Sequence, residues 1–111
     1  MPGTMLARGN ILNSYMFAPS LTPAAVAVST SAEQSFTVPG LLPGDQVAEI
    51  SFASTQTAGI IISQARVPSV NTLTIQFANC AAAAATPASG LYTINVNRPE
   101  IGAGVLPATA G

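Results

Sequence analysis

The sequence predicts an all-β fold, a small antiparallel β-sandwich or barrel of about six to seven strands with an extended arm at each end. Three observations carry this. Apolar residues recur at every second position through several short stretches, turn residues rich in proline and glycine separate those stretches, and no segment shows a convincing helical period. At 111 residues the chain fits one domain that can bury a real core. It divides into residues 1–23 as an N-terminal arm, 24–99 as the β-core and 100–111 as a C-terminal arm.

The first segment carries Pro2, Gly3, Gly9, Pro19 and Pro23 and has no clear period, yet it holds Leu6, Ile11, Leu12, Tyr15, Met16, Phe17 and Leu21. A solvated tail would be rich in charge and poor in such side chains. An apolar segment without a pattern is expected to lie on another surface, and deleting residues 1–20 is expected to leave a folded core. The strands follow. "AAVAVST" is short and places Val26 and Val28 on one side. "QSFTV" sets Phe36 and Val38 against Ser35 and Thr37, and "QVAEISF" sets Ala48, Ile50 and Phe52 against Glu49 and Ser51. "GIIISQARV" breaks the alternation at Ile60, Ile61 and Ile62, as a strand buried on both faces or facing a partner would. "TLTIQFAN" is the clearest, with Leu73, Ile75 and Phe77 on one face. "LYTINVNR" turns Tyr92, Ile94 and Val96 inward and Thr93, Asn95 and Asn97 outward.

The separators have their own chemistry. Pro39-Gly40 and Pro43-Gly44 suit type II turns, in which proline presets the first central position and glycine accepts the positive φ of the second. The run Ala81–Ala85 reads as a loop. Five alanines make little more than one helical turn, and Pro87 and Gly90 stop any extension. A loop so small and uncharged suits close contact with a neighbouring subunit. The C-terminal arm keeps Ile101, Val105 and Leu106 among glycines and a proline.

Only 6% of residues are charged, there is no lysine, and the net charge is −1; ordinary domains carry roughly a quarter. Such a chain has no field to attract nucleic acid or an anionic membrane, and neither is expected as a partner. With 49% hydrophobic residues, much of its surface is expected to be covered by other protein. The absence of histidine and lysine removes the commonest general base, the Ser-His-Asp arrangement, Schiff bases and the P-loop. Cys80, the single cysteine, forms no intrachain disulfide and no metal cluster, and Asp45 stands alone in its turn. Glu33 and Glu49 lack the aromatic platforms a sugar site favours. No catalytic residue, metal or cofactor is therefore expected. No stretch reaches the ~18 apolar residues of a membrane span, and polar residues and prolines break any secretory signal near the start. Arg66 and Arg98 each end an apolar strand. Each is either a snorkelling, edge-protecting arginine or an interface ion pair.

The block from "SFTVPGLLPGDQV" to "TLTIQFANCAAAAATPASGLYTINVNRPE", about residues 35 to 99, resembles small structural proteins encoded among the virion genes of tailed bacteriophages. The shared features are a Phe-Thr-Val-Pro-Gly turn, a Gly-Asp-x-Val strand, an Ala-Arg-Val strand, a Leu-x-Ile-x-Phe-x-Asn strand, a Thr-Pro loop and a Tyr-x-Ile-x-Val-x-Arg-Pro strand. The resemblance is greatest to a capsid decoration (cement) protein of a podovirus-like phage. It implies a non-enzymatic protein, made in the host cytoplasm and located on the capsid surface of the virion, whose partner is the major capsid protein. It also implies a homo-oligomer, by analogy a trimer at local threefold positions. Residues expected at the capsid or subunit interface are Leu12, Tyr15, Phe17, Leu21, Arg66, Arg98, Ile101, Val105 and Leu106. The alternatives are a head-fibre, tail or host-surface-binding domain of a virion, and an exported β-domain of a bacterial cell surface.

Overall fold

Successive side chains of an extended backbone point to opposite faces, so alternating sequences fold as strands with one face buried. The computed structural model describes residues 11–99. It contains β1 (Ile11–Phe17), β2 (Ser20–Leu21), β3 (Ser31–Thr37), β4 (Gln46–Phe52), β5 (Ile60–Ser69), β6 (Thr72–Asn79) and β7 (Gly90–Pro99), all antiparallel, with no helix among the described residues. In the first sheet β7 bonds to β1, β2 and β4; in the second the order is β3-β6-β5. β1 and β2 run along β7 in a single register, Phe17 opposite Ile94 and Ser20 opposite Leu91. Pro19 lies between them, and its carbonyl still accepts the Tyr92 N–H at 2.9 Å. β4 takes the other edge of β7, since Ile94 is opposite both Phe17 and Ile50.

The two sheets enclose one apolar layer. Leu73, Ile75 and Phe77 of β6 and Tyr92, Ile94 and Val96 of β7 have no solvent exposure, and Leu21, Val26, Val38, Leu41, Ile60 and Val67 complete the core. Each such side chain contributes about 1.5–3 kcal/mol by leaving water. The polar residues between them, Thr93, Asn95 and Asn97, face out as the alternation predicts.

Several local readings change. Residues 11–21 belong to the sheet rather than to an arm, because Phe17 packs on the core and Leu21 lies within it. Removing residues 1–20 would therefore strip the edge strand β1 and the Phe17 side chain that packs on the core. "AAVAVST" forms no strand. Val26 makes a single bridge to Ala85 and is buried, whereas Val28 is exposed. In β4 a register shift between Val47 and Glu49 makes Ala48 a bulge, so Val47 takes the inward place expected of Ala48. In β5 Ile60 is buried, Ile62 packs on the core and Ile61 is exposed, so the alternation survives the isoleucine run.

The turns follow their sequence. Asp45 N–H donates to the Leu42 carbonyl at 3.1 Å across Pro43-Gly44, and Gly44 has φ of 92°, the positive value a type II turn requires at its second central residue. Asn71, at φ 57°, closes the β5–β6 hairpin. Its backbone bonds both Val38 and Leu41, and its side-chain oxygen accepts the Gly40 N–H, which docks the hairpin on the first Pro-Gly turn.

Candidate functional site

The first residue of β1 and the last of β7 are paired, Ile11 opposite Pro99, so the described chain begins and ends at one end of the sandwich. The chain concentrates its strongest electrostatics there. Arg98 continues the inward phase of Tyr92, Ile94 and Val96, and its guanidinium grips Asp45 with Nε on Oδ1 at 2.9 Å and Nη2 on Oδ2 at 2.8 Å. Nη2 also donates to the Gly40 carbonyl at 2.8 Å, and the Leu42 N–H donates to Asp45 Oδ2 at 3.0 Å. The Asp45 side chain is 1% exposed and that of Arg98 14%. The Tyr15 ring lies against the guanidinium, 4.8 Å from its centroid. Burial opposes ionisation of Asp45. The hydrogen bonds from Arg98 and from Leu42 N–H outweigh it and hold the carboxyl below its ordinary range.

The second arginine is on the surface. Arg66 of β5 reaches over β6 to Glu33 of β3, with Nε on Oε2 and Nη2 on Oε1, each at 2.8 Å. The hydrogen bond from Arg66 holds the Glu33 carboxyl below its usual range. Both described arginines thus end on acids of their own chain. Both ion pairs are made within the chain, and the Arg98 side chain keeps only 14% of its surface exposed.

The other expected interface residues divide. Tyr15 is half-buried under Arg98, Phe17 packs on the core, and Leu21 is 4% exposed within it. These side chains are satisfied inside the fold. Leu12 falls in β1, but its side chain, like Ile101, Val105 and Leu106, lies outside the described residues. Among the described residues the exposed large apolar side chains are Met16, Val28, Ile61, Val70 and Leu91, none of them among the residues expected at the interface.

The alanine loop is built by Asn79, a buried polar residue at 2% exposure. Its Nδ2 donates to the carbonyls of Val26 and Ala83, each at 3.0 Å, and its Oδ1 accepts the Ala81 N–H at 2.8 Å. Val26 and Ala85 then exchange backbone bonds of 2.8 and 3.1 Å. The loop also lies against Gly59, whose carbonyl accepts the Cys80 N–H at 2.8 Å. Gly59 has φ of 86°, and a Cβ there would meet the Ala81 Cβ at 2.8 Å. Small side chains are needed at this contact by the chain's own packing. Gly59→Ala is expected to cost about 2 kcal/mol, from a strained backbone together with a clash, as read by chemical denaturation.

A shallow depression beside the loop is lined by Ser29, Thr30, Ser31, Ala78, Asn79 and Cys80. Among the described residues no three acids, cysteines or histidines come together as metal ligands, and no helix is long and apolar enough to cross a membrane. No protein-family model matches the chain, and neither does any curated protein or solved structure.

Proposed function

We propose that this chain is a non-enzymatic structural protein of a tailed-phage virion, a cement protein that binds the major capsid protein and stabilises the shell. The observation that carries the reading is the pairing of Ile11 with Pro99, which puts the points of attachment of two apolar, charge-poor sequences side by side at one end of the sandwich. Residues 1–10 contain one charge, Arg8, and residues 100–111 contain one, Glu100, among Met, Leu, Ile and Val. The resemblance of residues 35–99 to virion structural proteins points the same way. So does the internal pairing of Arg66 and Arg98, which leaves a nearly neutral surface suited to coverage by protein. A specific contact of this kind would bury at least roughly 1,000 Å².

The test is co-sedimentation of the purified chain with capsids assembled without it. The full chain is expected to bind to a saturating stoichiometry. Removing residues 1–10 and 100–111 leaves every described strand intact and is expected to give a folded protein whose binding falls at least tenfold. Failure of the full chain to bind overturns the reading. Labelled chain confined to the tail or to fibres would favour the head-fibre or tail alternative instead.

A further inference from the structure

The long edge strands of the two sheets are β1, β4, β3 and β5, with the two-residue β2 continuing the β1 edge, and three of the four long ones are interrupted. β1 has a register shift between Ile11 and Asn13, β4 one between Val47 and Glu49, and β5 two, after Ile62 and after Arg66. Such bulges twist an edge away from further pairing. β3 has none. It pairs with β6 residue for residue from Ser31 to Thr37.

The phase of the ladder shows which groups remain open. At its two ends the Thr30 carbonyl accepts the Asn79 N–H at 2.9 Å, and the Val38 N–H donates to the Asn71 carbonyl at 2.8 Å. Hydrogen-bonded positions alternate in an antiparallel pair. Ala32, Gln34 and Phe36 therefore bond to β6, while Ser31, Glu33, Ser35 and Thr37 direct their N–H and C=O groups to the open edge. Among the described residues no other backbone group bonds to these four. The strand carries one charge, Glu33, and Arg66 of the same chain neutralises it.

We infer that the β3 edge is a self-association surface, on which a second copy of this chain adds its own β3 antiparallel about a twofold axis at Gln34. That register is the one that uses every open group. Ser31 falls opposite Thr37 of the second copy and Glu33 opposite Ser35 of the second copy, and the reciprocal pairs follow by symmetry. Four hydrogen-bonded positions join the strands and merge two three-stranded sheets into one of six. The side chains fit the same register. Each Glu33 meets a serine hydroxyl rather than another carboxylate, and Ala32 meets the larger Phe36. The inference stands apart from the capsid assignment and does not depend on it.

Sedimentation of the full chain over a concentration series tests it, with amide exchange at low and high concentration. A monomer–dimer equilibrium is expected, with the Ser31, Glu33, Ser35 and Thr37 amides gaining protection as dimer forms. Ser35 is exposed, but its hydroxyl shares a hydrogen bond of 3.0 Å with that of buried Thr74, so Ser35→Ala serves as the control for losing that bond. Ser35→Glu sets one carboxylate opposite each Glu33 and is expected to weaken the dimer about tenfold, whereas Ser35→Lys is expected to tighten it by a similar factor. A monomer at every concentration, a trimer, a dimer indifferent to both substitutions, or these amides already protected in the monomer would each overturn the inference.

Discussion

Replacing Asp45 by alanine is expected to destabilise the protein by about 3 kcal/mol, the lower end of the range for breaking a buried ion pair, because Arg98 keeps a little contact with water. The substitution removes both bonds to the guanidinium and leaves the Leu42 N–H without its acceptor. A cation then sits under Tyr15 with only the Gly40 carbonyl for company. Against a total stability of about 5–15 kcal/mol this is a large loss, read as a fall in the urea midpoint. Replacing Asp45 and Arg98 together by leucine is expected to recover much of it, since the cost lies mainly in the orphaned charge. The same pair sets an acid limit. The Asp45 carboxyl titrates lower in the folded state than in the unfolded chain, so its stabilisation is fully present above the ordinary aspartate range of about 4 and fades as pH falls through the folded value. Wild-type stability should therefore drop below about pH 4, and the double leucine variant should lose that part of the dependence.

Asn79→Ala is expected to cost a similar amount, about 3 kcal/mol, and for a different reason. The Asn79 side chain satisfies the Ala83 carbonyl and the Ala81 N–H and adds a bond to the Val26 carbonyl, all within a residue 2% exposed. Alanine removes all three bonds; the Val26 carbonyl keeps the Ala85 N–H, while the part-buried Ala81 N–H and Ala83 carbonyl lose their partner, at about 1–3 kcal/mol for each one orphaned. For a domain of this size the melting temperature should fall by roughly 10–20 °C. The loss should be local in its first effect, with the Ala81 and Ala85 amides exchanging faster while those of Ile94 and Val96 keep their relative protection. Asn79→Asp, which retains the acceptor but places a charge beside two carbonyls, is expected to be no better.

Much of the sandwich was legible because its central strands obey a strict alternation. Leu73, Ile75 and Phe77, like Tyr92, Ile94 and Val96, are read inward from sequence and are fully buried. Pro43-Gly44 announces its turn through the conformational needs of the two residues alone. β1 was illegible because Met16, on its outer face, is 69% exposed and blurs the pattern, and because Pro19 divides the edge before Leu21. The bulge at Ala48 is set by pairing with β7, which no local pattern reveals. Two signals were present and easily overlooked. Asn79 lies in phase with Leu73, Ile75 and Phe77, and Arg98 lies in phase with Tyr92, Ile94 and Val96. A polar residue in the inward phase must bring its partners with it. The alternation says that partners exist; only the tertiary fold says that they are the alanine loop and Asp45, the latter 53 residues away in sequence.

This distribution of polar groups bears on function. The buried ion pair and the buried amide hold the sandwich together. What the described residues offer outward is a nearly neutral surface, and the two ends of the described chain, Ile11 and Pro99, lie side by side. The decisive measurement is the copy number of this chain per copy of the major capsid protein in purified particles, by quantitative mass spectrometry. A cement protein is present in a fixed ratio near the number of lattice sites, comparable to the capsid protein itself. A few copies per particle, or none, would contradict the assignment.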